Sequence, residues 1–115
     1  MVEMGRAAFE QVVSEALDGL PPELSALMDN VAVFVEDDSP PGPYLLGLYE
    51  GVPLTSRGVS YMMALPDRIT IYRNPILSIC NSVEHVGRQV QITVAHEVGH
   101  HFGLDDDRLH DLGYA

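Results

Sequence analysis

Cysteine is nearly absent from this 115-residue chain. Cys80 stands alone, which excludes an intrachain disulfide framework and a zinc site built on thiolates. A reducing, cytoplasmic setting fits. Positive charge is almost as scarce: 6 Lys plus Arg face 17 Asp plus Glu, giving a formal charge of −11. No basic stripe exists that could neutralise a row of phosphates, so nucleic acid is not an expected partner. The same imbalance favours cations, metals and positively charged peptides among them, over anionic ligands. No apolar run reaches membrane-spanning length, so no membrane association is expected. The N-terminus MVEMGRAAFEQVV mixes acids into its apolar residues and lacks a basic leading region, so it does not read as a signal peptide. Repeats and low-complexity segments are missing too. What remains, at 46% hydrophobic residues, is the composition of one folded domain, residues 1–115, with a single modest core.

Along the chain, apolar residues recur at helical spacing from Glu3 to Leu17 (Ala7, Ala8, Val12, Val13, Ala16, Leu17) and predict a first helix. Pro22 opens a second, short one reaching Met28. Val31-Ala32-Val33-Phe34-Val35 reads as a buried strand, and Tyr44 to Tyr49 as a strand or extended turn, followed by surface loop to Ser60. In PDRITIYRNP, Ile69 and Ile71 alternate with Arg68, Thr70 and Tyr72. That pattern is a half-buried strand, and the flanking Pro66 and Pro75 place it at a sheet edge. Asn81 or Ser82 can cap a long helix from Val83 to Phe102, Asn81 and Glu84 forming a capping box. Val86, Val90, Val94 and Val98 step along its core side to Gly103, and a final turn covers Asp106 to Leu112. Strands lying between helices make the class α+β with a small sheet.

The chemistry is concentrated in HEVGHHFGLDD. Histidines four apart on a helix stand one turn above each other, so His96 and His100 can converge on one ion. Glu97 lies about 100° around the helix from His96, poorly placed to be a ligand but able to reach a water on that ion. Zinc lowers the pKa of such a water toward about 7, and a carboxylate takes its proton as it attacks a carbonyl. A catalytic zinc needs a third protein ligand. No glutamate follows Glu97, and Gly103 lets the backbone reverse so that Asp106 can swing back to the ion. Asp105, Asp107 and His110 remain alternatives, since any of the three aspartates could instead cap the short helix that follows.

These residues, His96, Glu97, His100, Gly103 and Asp106, resemble the HExxHxxGxxD signature of the Asp-zincins, and most closely the bacterial mini-zincin or zincin-like metallopeptidase family. YLLGLYEGVPLT, LPDRITIYRNPI and LDDDRLHDLGY also look like that family, extending the resemblance over Tyr44 to Tyr114. It implies a minimal zincin-like fold of backing helix, small mixed sheet and active-site helix. It further implies a single Zn2+ and hydrolysis of peptide or protein substrates. In zincins an edge strand aligns the extended substrate by β-augmentation, a role that falls here on RITIYR. Only nine residues follow Asp106, so the lower wall of the cleft is short. The site is then shallow, and a second copy or a partner can complete it.

Other candidates carry blander expectations. His101 points away from His100 and reads as packed or as supporting a ligand, His85 as surface, and Cys80 as a small buried hydrophobe. Tyr72, Arg73 and Tyr114 are candidates for a donor to a tetrahedral oxyanion, with structural roles the competing reading. Two other functions stand beside peptide hydrolysis. One is a zinc-holding interaction module with little catalysis. The other is metal-dependent RNA cleavage, as in a bacterial endoribonuclease family with HGxxH, against which Glu97, Asp106 and the negative charge all speak.

Overall fold

The computed structural model describes residues 1–51 and 66–114. The loop expected to Ser60 therefore falls, beyond Gly51, outside the described residues. Helix α1 spans Arg6–Asp18 and buries Phe9, Val13 and Ala16, one stripe at helical spacing. Ala7 and Ala8, expected on that stripe, are exposed. Phe9 offers far more apolar area than either alanine, and the helix rotates to bury it. Helix α2, Pro22–Leu27, starts on proline as expected and buries Leu24.

Three strands follow: β1 (Val31–Glu36), β2 (Gly47–Glu50) and β3 (Asp67–Tyr72). Their spatial order among the described residues is β1-β3-β2. β1 pairs with β3 in parallel, Val33 opposite Ile69, and β2 pairs with β3 antiparallel, Leu48 opposite Thr70. RITIYR is thus the central strand, which corrects the edge placement. The prolines misled because both lie outside the strand and remove no ladder donor from it. Burial shows the same thing: Ile69, Thr70, Ile71 and Tyr72 are all buried, on both faces of the sheet.

Sequence reasoning also missed a helix. Arg73–Ile79 forms α3, with Pro75 in its first turn, where a missing N–H breaks no helical bond. Arg73 donates to Asp37 Oδ1 at 2.9 Å and to the Met4 carbonyl at 2.7 Å, tying the N-terminal segment to the end of β1. The Arg73 guanidinium holds the Asp37 carboxyl below the usual carboxylate range. Arg73 is therefore a structural clamp.

The long helix α4 runs Val83–His101. Ser82 is its cap, accepting from the His85 N–H at 3.1 Å, while the Asn81 N–H donates to His85 Nδ1 at 3.2 Å. The cap is thus Ser82 rather than Asn81, and in place of the box expected between Asn81 and Glu84 the His85 imidazole accepts from the N–H of the residue before the cap. Val86, Val90, Val94 and Val98 are all 0% exposed and share a core with Phe9, Ile69, Ile71 and Cys80. Each such valine contributes roughly 1.5–2 kcal/mol of burial. Burial also pushes the Cys80 thiol up. The last helix, α5, is Asp106–Asp111. No helix among the described residues is long and apolar enough to cross a membrane. The architecture is the expected α+β one: helices around a small mixed sheet.

Candidate metal centre

The last turns of α4 leave the core and reach solvent, and the site lies there. His96 and His100 stand one turn apart, their ring centroids 5.4 Å from each other and their planes at 86°. Gly103 takes φ +85, the left-handed conformation that reverses the chain, and the Leu104 N–H bonds back to Gly99 O at 2.7 Å. After this turn, Asp106 Oδ1 lies 2.9 Å from His100 Nε2. One donor atom from each of His96, His100 and Asp106 lies within 4.8 Å of the other two, and no other such trio is found among the described residues. Zinc bonds to nitrogen and oxygen are about 2.0–2.2 Å, so two donors of one ion stand up to about 4 Å apart. Small side-chain rotations bring the trio into that range. The chemistry of the donor set fits as well, two imidazoles and a carboxylate leaving an open position.

Packing rather than chance places Asp106. Asp105 caps α5 by accepting from the Arg108 N–H at 2.9 Å, which commits that carboxylate and leaves Asp106 to face His100. Asp107 and His110 are exposed and lie outside the trio. Arg108 pairs with Glu23 of α2, its Nε donating at 2.9 Å, and anchors α5 from outside. Leu109, 0% exposed, anchors it from inside, against Gly99. A Cβ on Gly99 would sit 2.9 Å from Leu109 Cδ2, so the glycine within HEVGH is what lets α5 approach α4.

Glu97 is half-buried beside the two histidines. Burial pushes its carboxyl above the usual glutamate range, and the charges of His100 and His96 pull the other way. A carboxylate with raised proton affinity at this position can accept a proton from water.

The zincin-like metallopeptidase profile matches residues 28–114. The chain belongs to that family. The matched span takes in the sheet, α4 with its histidines, and α5, and leaves out α1. This zincin-like chain also shares its fold with a conserved hypothetical protein from Thermus thermophilus. The TM-score is 0.57 at 23% identity, over 85% of this chain and 94% of the other. No curated protein matches it.

On the other flank of the zincin helix, His101, expected as packed or as supporting a ligand, is exposed yet stacked, and sequence reasoning did not foresee its partners. The His101 ring stacks on Tyr49 of β2, centroids 4.0 Å apart at 24°. Tyr49 Oη donates to Asp67 Oδ2 at 2.8 Å, and His101 Nε2 lies 3.8 Å from the same oxygen. Asp67, only 9% exposed, opens β3. A buried acid at a strand start has no local sequence signature, so neither periodicity nor motif could point to it. Tyr72 and Tyr114 take structural positions. Tyr72 is 5% exposed, and burial pushes its hydroxyl pKa up. Tyr114 is 4% exposed, under the Arg88 guanidinium. His85, expected at the surface, is part-buried at the helix cap.

Proposed function

We propose that this zincin-like protein hydrolyses peptide bonds, with zinc held by His96, His100 and Asp106. The observation that carries the reading is the convergence of those three donors beside a half-buried Glu97. Zinc, when bound, supplies Lewis-acid polarisation of a carbonyl and acidifies water. Glu97 then takes the proton of the attacking water and returns it to the leaving amine, a role suited to its raised proton affinity.

The strand that aligns an extended substrate is β2 rather than RITIYR. Among the described residues β2 is an edge strand, and its Tyr49 packs on His101 at the end of the active-site helix. β1, the other edge, is a poorer template, because Arg6 donates to the Val35 carbonyl.

Zinc-loaded protein incubated with a peptide library tests the proposal. Chelator-sensitive cleavage is expected, with Glu97→Gln retaining stoichiometric zinc and losing cleavage. No cleavage by zinc-loaded protein, or unchanged cleavage by Glu97→Gln, would sink it. A second reading rests on exposure. The His100 and Asp106 side chains are 50% and 80% exposed, open enough for a partner's carboxylate to complete the coordination. An interaction module of that kind is favoured if Glu97→Gln leaves a cellular phenotype intact while His96→Ala abolishes it.

A further inference from the structure

The face of the sheet turned away from α4 carries a cleft of about 420 Å³ whose floor and rim differ in character. Along β3, Ile69 and Ile71 belong to the core, so Thr70 and Tyr72, which alternate with them, point the other way. Register places Glu36 of β1 opposite Tyr72, and Leu48 of β2 opposite Thr70. Thr70 and Tyr72 line the cleft at 3% and 5% exposure, whereas Glu36, Asp38, Glu50 and Arg68 stand exposed around it. Neither hydroxyl of the floor has a hydrogen-bond partner among the described residues. Buried polar groups are nearly always paired, and one left without a partner costs free energy. Three carboxylates around one guanidinium leave the rim negative. That guanidinium is drawn aside: Arg68 lies over the Phe34 ring, 4.3 Å from its centroid, and 3.9 Å from Glu50. Burial pushes the Tyr72 hydroxyl pKa up, and the charges of Glu50, Arg68 and Glu36 all reach it.

We propose that this cleft receives the arginine side chain of a peptide, its guanidinium held by the Thr70 and Tyr72 hydroxyls and the Glu50 carboxylate. A metal ion is the wrong occupant, because the three carboxylates do not bring donor atoms within 4.8 Å of one another. Acceptors spread over neighbouring strands suit instead a flat group with several N–H donors in a rigid fork, which a guanidinium is. Leu48 gives the aliphatic stem an apolar surface to lie on. The choice of a peptide over a free cation rests on the reading of β2 as the strand that aligns substrate. A strand added to β2 sends alternate side chains to the two faces of the sheet, one set toward α4, where Tyr49 lies, and the other over Leu48 and Glu50. β3 then lies two strand spacings, roughly 10 Å, from that peptide, within reach of a long side chain and beyond a short one. The cleft is a specificity site for arginine, on the side of the sheet away from the zinc ligands.

Binding is read on the full chain treated with chelator, so that no peptide is consumed. The probe is a blocked pentapeptide of alanines around a central arginine, and its counterpart carries citrulline, the neutral isostere. The arginine peptide should bind about tenfold more tightly, with amide NMR shifts at Leu48, Glu50, Thr70 and Tyr72. Tyr72→Phe keeps the ring and the net charge and should weaken that binding about tenfold, at an unfolding midpoint equal to or above wild type. Thr70→Val should act in the same direction. Equal affinity for the two peptides, or wild-type affinity in both variants, overturns the site and reduces binding to diffuse attraction by an acidic chain. Ethylguanidinium, which has no peptide backbone, should bind more weakly than the peptide, and equal affinity overturns the peptide as the source. In a second arm, zinc-loaded protein is given a peptide library. Cleaved peptides should be enriched in arginine, and Tyr72→Phe should lose the enrichment. Cleavage without enrichment overturns the site and leaves the hydrolase reading standing. No cleavage at all sinks the hydrolase reading, while the binding arm still decides the site.

Discussion

The two flanks of the last turn of α4 carry adjacent histidines with opposite tasks. His100 stands half in solvent with an exposed carboxylate 2.9 Å away. His101, one residue on, is stacked on Tyr49 and lies 3.8 Å from an Asp67 carboxylate whose side chain is only 13% exposed. A rotation of about 100° per residue sorts them. One flank gathers two imidazoles and a carboxylate, and the other, although the His101 side chain is itself 39% exposed, ties the helix end to the sheet through the ring stack. The difference teaches that one turn of helix can present an open cluster of donor atoms on one flank while its other flank is tied to the sheet.

The largest test of that contrast is to remove each ring in turn. His100→Ala should weaken zinc binding by about a thousandfold or more while leaving metal-free stability nearly unchanged. His101→Ala should do the reverse, lowering stability by about 1–2 kcal/mol and zinc affinity by less than about tenfold. Zinc competition and denaturant melts on the two variants read both quantities, and equal effects would erase the distinction. Tyr49→Phe keeps the stack and removes the donor to Asp67, with an expected loss of about 1–2 kcal/mol in urea unfolding. Gly99→Ala probes how Asp106 is held. The new methyl displaces Leu109 and with it α5, so zinc affinity should fall several-fold. The gain in helix propensity, about 1 kcal/mol, offsets much of the lost packing and keeps the unfolding midpoint close to wild type.

The smallest expected effect is electrostatic. The Glu97 carboxyl has a raised pKa in the folded, metal-free protein, so the native state holds that proton more tightly than the unfolded chain does. Its contribution to stability is fully present below the ordinary glutamate pKa and is lost as pH rises through the elevated one. Glu97→Gln should therefore match wild type in acid and exceed it slightly toward neutral pH. Melts across that window check the sign, and an advantage for the variant that grows in acid would contradict it.

The motif half of the site was legible because helical spacing is local. HEVGH fixes two rings on one face, and Gly103 announces the turn that returns Asp106. The valine spine was legible for the same reason. The opposite flank was not, because Tyr49, Asp67 and His101 come from three elements that only the tertiary fold brings together. The placement of RITIYR failed on a related point. Prolines at its ends were read as edge signals, whereas strand order is decided by which faces the neighbouring elements bury. α3 was hidden by Pro75, which marks the first turn of a helix as readily as the end of a strand.

The parallel pairing of β1 with β3 also bears on how the molecule assembles. Val31 must find Asp67, thirty-six positions along the chain, before the central ladder exists. Contacts so distant in sequence are slow to form, since loop closure precedes any reward. The donors His96, His100 and Asp106 fall within eleven consecutive residues, and their approach needs little beyond a helix and the turn that ends it. Refolding of the metal-free chain should then be limited by the sheet: truncations at Val33 or Ile69 slow it, and substitution of His100 or Asp106 leaves its rate alone. The frame is the slow step, and the approach of His96, His100 and Asp106 follows from local structure.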